Sequence, residues 1–266
     1  MTVESQDIAA LTRFALEVIR QAGEKALSFY GKGKKSIKFD RSLVTETEIH
    51  LTDFFEVRLK EQFPEHRMFN HANELPAYTH DAKRYLWTFD AIDGVANFQA
   101  GIPIWSVSLA LVENYWPVFG GIYMPATGDI CYAVAGDKAF WNDEEICISE
   151  QPAISDESLL LTYSRFHHHY QTAFPGKIRN LGCTAAHLCY VAMGRAEGAV
   201  IANESFQDLA AARIIIEAAG GRIYKMNGEE FYLNEYLDGN RIEDHLLVAG
   251  PESLPQIRQS IRELAA

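Results

Sequence analysis

The chain has 266 residues, of which 24 are basic and 36 acidic, for a formal net charge of −12. That balance argues against nucleic acid or any other polyanion held on a basic surface. It leaves room for a small phosphorylated molecule at an acidic site loaded with divalent cations, which is positive locally whatever the global sign.

A hydrophobic fraction of 48% is that of a globular protein, and no apolar run approaches membrane-spanning length, so no membrane partner is expected. The length suffices for one double-layered domain or two fused halves. The opening MTVESQDIAALTRF has polar and acidic residues where a secretory leader needs a basic start and an apolar run, which predicts a cytoplasmic protein. Cys131, Cys147, Cys183 and Cys189 make no C-x-x-C pair, so reduced, mostly buried thiols are expected rather than zinc or disulfides.

Taken in order, Ile8, Leu11, Ala15, Val18, Ala22 and Leu27 recur at helical spacing and predict an amphipathic helix over about Gln6 to Tyr30. The basic run Lys32 to Lys38 reads as a solvated loop, with a short strand at Ile37 to Phe39. Thr45-Glu46-Thr47-Glu48 has the pattern of a capping box opening a helix to about Gln62. Phe63 to Glu74 follows as a loop containing His71 and Glu74.

The next stretch, Trp87-Thr88-Phe89-Asp90-Ala91-Ile92-Asp93-Gly94-Val95-Ala96-Asn97-Phe98, is an apolar strand that ends in two carboxylates just before a glycine. Gly94 permits a sharp turn. Asp90, the carbonyl of Ile92 and Asp93 could thus converge on one point, a donor set of hard oxygens that suits Mg²⁺ or Mn²⁺. A plain strand-turn punctuated by Asp-Gly is the alternative. Ile104 to Val112, Val118 to Met124 and Asp129 to Val134 are short β-rich runs broken by turn residues and predict an antiparallel meander.

A polar stretch at Gln151 to Glu157, with Pro152, suggests an N-terminal half over 1–150 and a C-terminal half over 151–266, within one compact two-part unit. Leu159 to Tyr163 reads as a strand and His167-His168-His169 as surface loop, since neighbouring side chains on extended backbone point apart. Further strands are expected at Ile178 to Gly182, Ala199 to Ile201, Arg222 to Lys225 and His245 to Ala249, with a closing helix from Pro251. Cys183 to Gly194 is a small-residue helix. Phe206 to Gly221 is a second one, apolar on nearly every side, with Asp208 at its start and Gly-Gly as its stop. Asp208 there is either a cap or a ligand.

Together the two acidic stretches resemble the inositol monophosphatase family, marked by D-P-I-D-G-T-x-N-F and a later W-D-x-A-A-G…E-A-G-G. The match falls on Asp90, Ile92, Asp93, Gly94, Asn97 and Phe98, then on Asp208, Ala210, Ala211 and Gly220-Gly221. Gly136 to Ser149 and the helix after Cys183 are similar to further family segments, so the resemblance covers almost the whole chain.

The resemblance implies an α/β layered fold, an α/β/α/β/α sandwich, and a homodimer with the site between the two halves. It also implies Mg²⁺ (Mn²⁺ possible) held by Asp90, Ile92, Asp93 and Asp208, with Asp93 and either His71 or Glu74 catalytic, and Gly94, Val95, Cys183 and Thr184 at the substrate. Several positions depart from the pattern. Asn70-His71-Ala72 stands where the family has a metal-binding G-E-E, and Val95 where it has a water-orienting Thr. Glu48 replaces an Asp near the metals, and Gln207 and Ala91 replace Trp and Pro. Ile201 stands where inositol-specific members carry a Glu. Two functions follow as expectations: a phosphomonoesterase with a modified or weakened site, or a non-catalytic metal- and phosphate-binding or regulatory protein on the same scaffold.

Overall fold

The computed structural model describes residues 8–33, 41–69, 85–114, 116–149, 153–236 and 240–264. The first part runs α1 (Ile8–Leu27), α2 (Arg41–Gln62), β1 (Arg67–Met68), β2 (Tyr85–Asp93), α3 (Val95–Ala100), β3 (Ser106–Glu113), β4 (Trp116–Met124), β5 (Asp129–Val134), β6 (Ala139–Trp141) and β7 (Glu144–Ile146). The second runs β8 (Leu159–Thr162), α4 (Phe166–His169), β9 (Tyr170–Thr172), β10 (Lys177–Arg179), α5 (Thr184–Ala192), β11 (Gly198–Ile201), α6 (Phe206–Ala218), β12 (Arg222–Lys225), β13 (Leu246–Ala249), α7 (Ser253–Ser260) and β14 (Ile261–Glu263).

β1 to β7 form one sheet in sequence order, antiparallel except for the β1–β2 pair. This is the expected meander, extended on one side by β2, the strand expected to carry the two acids, with the two-residue β1 beyond it, and on the other by the three-residue β6 and β7. The second sheet has the order β10-β8-β11-β13-β12, parallel across its first three strands and antiparallel thereafter.

Alternation of side chains along the strands builds the layers. Val107, Leu109, Leu111, Phe119 and Tyr123 of β3 and β4 pack under Leu11, Val18, Ile19 and Phe55 of α1 and α2. Ala110, Val112, Ile122 and Met124 point the other way, onto α5 and α6. The far side of those helices meets Leu161, Ala199, Ile201, Leu246 and Val248 of the second sheet. The alternate residues Leu160, Val200, Leu247 and Ala249 face outward onto Phe166, Tyr170 and Ile257 of α4, β9 and α7. The result is an α/β/α/β/α sandwich. α6, clad by sheets on both sides, needs small and aliphatic residues around nearly its whole circumference.

Several expectations are corrected. α2 is already under way at Arg41, so Thr45 lies exposed in its second turn and opens no capping box. The buried Thr47 instead donates its hydroxyl to the Leu43 carbonyl at 2.8 Å. His167 to His169 form a helical turn rather than a loop, although all three remain exposed. β9 and β14, paired antiparallel, have no counterpart in the sequence reading. Residues 34–40, with the strand expected at Ile37 to Phe39, lie outside the described residues. So do His71 and Glu74.

Where the first sheet meets α1, His66 is sandwiched between the rings of Phe63 and Tyr85, at 4.9 and 4.7 Å. Its Nδ1 accepts from Trp87 Nε1 at 3.0 Å. Burial lowers its pKa from 6.5 to about 4, so the folded protein holds it neutral. As pH falls below 6.5 the unfolded chain takes up the proton first, and stability is lost between 6.5 and about 4. His66→Gln keeps an acceptor for Trp87 and should flatten that loss. Urea midpoints at pH 7 and pH 5 for both proteins check it.

Candidate active site

Two carboxylates three residues apart on a regular strand would point to opposite faces. β2 avoids this with a bulge. Asp90 pairs with Ser108 and Asp93 with Ser106, so three steps on β2 oppose two on β3. The extra residue re-aims the strand and swings both acids toward the same end of the sheet. Gly94 then takes φ 84, ψ 37, the left-handed region that glycine enters freely. A Cβ there would also stand 3.0 Å from both the Cys183 Cβ and the Ile104 carbonyl oxygen. Asn97 ties the turn down by donating Nδ2 to the carbonyls of Ile104 (2.6 Å) and Leu181 (2.7 Å).

Leu181 is next to the start of α5, so the turn after β2 is bonded to the second part of the chain. Asp93 Oδ2 accepts from the Ala185 N–H at 2.6 Å and from the Cys183 thiol at 3.2 Å. Cys183 is the N-cap of α5 and accepts from Ala186 N. Burial, with the Asp93 charge beside it, pushes the thiol well above its ordinary range, so it serves as a neutral donor. Thr184 Oγ1 donates to Glu204 Oε1 at 2.9 Å. The donors at the head of α5 are therefore spent largely on the protein's own carboxylates.

On α6, Asp208 closes a capping box. Its Oδ2 accepts from Ser205 N at 2.9 Å, and Ser205 Oγ accepts from Asp208 N. The same Oδ2 pairs with Arg241 at 2.5 Å. Gln207 donates Nε2 to the Phe89 carbonyl at 2.7 Å, fixing the start of α6 against β2.

These acids feel one another. Burial, then Asp93, then Asp208 push the Asp90 carboxyl well above the ordinary range, with Glu48 adding to the effect and the Ile92 N–H at 3.3 Å opposing it. Burial raises Asp93, and Asp208 adds to that, against the Ala185 and Cys183 bonds. Glu204 is pushed well up by burial, Asp93 and Asp208. Glu48 is raised by burial. The structure thus brings Asp90, Ile92, Asp93, Gly94, Val95, Cys183, Thr184 and Asp208 to one region, with Glu48, Glu204 and Arg241 joining them. Among the described residues, no three acidic, histidine or cysteine side chains could hold a metal ion as they stand.

Sequence reasoning missed Glu204 and Arg241. Glu204 had a signal, an acid between the end of β11 and the N-cap of α6. Arg241 had none, lying 33 residues beyond its partner.

A family model described as the inositol monophosphatase family matches residues 7–259. The chain belongs to that family. It is 29% identical over 261 residues to a protein named fructose-1,6-bisphosphatase/inositol-1-monophosphatase from Thermotoga maritima, covering 92% of this chain and 97% of that one. It is 26% identical over 261 residues to a putative Nus factor SuhB of Neisseria meningitidis serogroup B, covering 93% and 96%. A solved Thermotoga maritima IMPase superposes with a TM-score of 0.75 at 24% identity, over 94% of this chain and 96% of that one, which speaks to fold. This inositol monophosphatase family member thus has relatives named for phosphatase activity and others named as Nus factors. No helix among its described residues is long and apolar enough to cross a membrane.

Proposed function

We propose that this chain is a divalent-cation-dependent phosphomonoester hydrolase acting on a small sugar, polyol or nucleotide phosphate through a modified site. The observation that carries the reading is the bulge at the end of β2, where Asp90 and Asp93 lie within electrostatic reach of Asp208 at the head of α6. Withdrawn carboxylates that raise one another's pKa are costly unless a cation joins them. The donor set, oxygen throughout, fits Mg²⁺ or Mn²⁺ rather than a softer metal.

Asp90, the Ile92 carbonyl, Asp93 and Asp208 would hold the ion. When bound, it would supply a water of lowered pKa and neutralise charge on the phosphoryl group. Asp93 is oriented through Oδ2 by the Ala185 N–H and the Cys183 thiol, and the Gly94 N–H also donates to its carboxylate. Gly94 and the head of α5, with Cys183 and Thr184, border the space for the phosphate. Glu48, whose carboxyl burial pushes up, lies near enough to Asp90 to push it up in turn. Val95 offers a methyl group where a hydroxyl would orient water.

His71 and Val95 are the altered positions in this reading. Restoring an anionic oxygen and a hydroxyl together, as His71→Glu with Val95→Thr, should raise turnover by more than the product of the single effects. Groups that act as one unit are non-additive. Turnover measured on the three variants checks this. A double variant that folds and binds the cation yet gains nothing would mean that the alignment through Asn70-His71 is mistaken, and would shift the role to Glu74.

The testing experiment is phosphate release with Mg²⁺ or Mn²⁺ across inositol, sugar and nucleotide phosphates. At least one phosphomonoester other than inositol phosphate should be the best substrate, because Ile201 cannot read hydroxyls by hydrogen bonding. Should inositol phosphate come first, the reading of Ile201 is wrong. The relatives named as Nus factors favour a second reading, a non-catalytic regulatory protein. Intact cation binding with no turnover on any substrate in the panel would select it. The family resemblance also supports a cytoplasmic homodimer, and light scattering would test the dimer.

A further inference from the structure

We propose that Arg241 is an internal counter-cation at Asp208, one that an incoming divalent cation must displace. The inference rests on the reading of Asp208 as a cation ligand. Arg241 places NH1 2.5 Å from Asp208 Oδ2 and 2.9 Å from the Asn203 carbonyl oxygen. The position is built rather than casual. Arg241 is bridged antiparallel to Ser205, the residue that caps α6, and the next residue, Ile242, donates its N–H to the Glu204 carbonyl at 2.7 Å. The backbone of residues 241–242 is therefore tied alongside residues 204–205, and the guanidinium is delivered to the first turn of α6.

Oδ2 of Asp208 already accepts from Ser205 N. With Arg241 added, that oxygen has two donors, one of them a guanidinium. Arg241 thus supplies at Asp208 the positive charge that a bound cation would otherwise supply. The side chain is 59% exposed, so it can swing into solvent while its backbone stays bridged. The pair is then weak enough to yield to a dication and strong enough to tax its binding.

The test is calorimetric titration of Mn²⁺ into the full chain and its Arg241→Gln, Arg241→Lys, Asp208→Asn and Asp208→Asn/Arg241→Gln variants, with circular dichroism as the folding check. Arg241→Gln should bind roughly threefold to fivefold more tightly than wild type, the scale of a part-exposed ion pair. Arg241→Lys, which keeps a charge without the planar fork, should fall between them. In the Asp208→Asn background, Arg241→Gln should change nothing.

Equal or weaker binding by Arg241→Gln, with Asp208→Asn clearly weakened, overturns the role of Arg241 alone. A gain that persists in the Asp208→Asn background would be a field effect and also overturns it. Wild-type affinity in Asp208→Asn itself overturns the cation-site reading, and this inference with it.

Discussion

Asp93→Asn should fold normally yet lose about a hundredfold or more of its cation-dependent phosphate release, close to 3 kcal/mol at the barrier. The amide oxygen of asparagine can still accept from Ala185 N and from the Cys183 thiol, so the bonds that tie the turn after β2 to α5 survive. What disappears is the negative charge. That charge is costly in the cation-free protein, because burial and Asp208 already push the Asp93 carboxyl up. Its loss should leave thermal stability unchanged or slightly higher while activity collapses. A structural role would lower both together. Turnover within threefold of wild type would remove Asp93 from the machinery.

The largest effect on stability is expected from Gly120→Ala. In β4, a Cβ at Gly120 would stand 2.2 Å from the carbonyl oxygen of Ala211 and 2.9 Å from its Cα, so helix α6 lies directly on the strand backbone. A backbone carbonyl cannot rotate away as the end of a side chain can, so the whole helix has to shift. Overpacking of this kind costs about 3 kcal/mol, the upper end of its usual range, and should lower Tm by roughly 5–10 °C. Because Asp208 lies one turn before Ala211 on the same helix, the shift should also weaken cation binding. The neighbouring Gly121→Ala is the control. Its Cβ would meet the Phe119 ring tip at 3.0 Å, a side-chain atom that can give, and its cost should be smaller.

Much of this was legible in the sequence because periodicity and turn chemistry act locally. The meander β3 to β5 followed from β-rich runs split by Asn114-Tyr115 and Pro125 to Gly128. The buried character of α6 followed from its small and aliphatic residues on all sides. Asp90 and Asp93 were recognisable as a pair, since Gly94 marks the turn. The bulge that makes them converge was not, because it depends on the register against Ser106 and Ser108 of another strand.

Thr45 failed for a different reason. The sequence there satisfies a capping pattern, but α2 is already running by Arg41. Threonine costs a helix interior only roughly a few tenths of a kcal/mol relative to better helix formers, and Thr47 satisfies its hydroxyl on the Leu43 carbonyl. For Asp208 the structure shows the capping meaning: it closes the capping box with Ser205. It also lies close enough to Asp90 to raise that acid, so capping does not remove it from the proposed cation site. Arg241 and the Thr184–Glu204 bond arise only when segments far apart in the chain are folded together.

The most direct test of the account is a crystal of the wild-type chain grown with Mn²⁺, with anomalous diffraction recorded at the manganese edge. The account predicts a peak bounded by Asp90, the Ile92 carbonyl, Asp93 and Asp208, with the Arg241 side chain moved off Asp208. A map with no peak among those acids, or with manganese bound only elsewhere on this acidic protein, would contradict it.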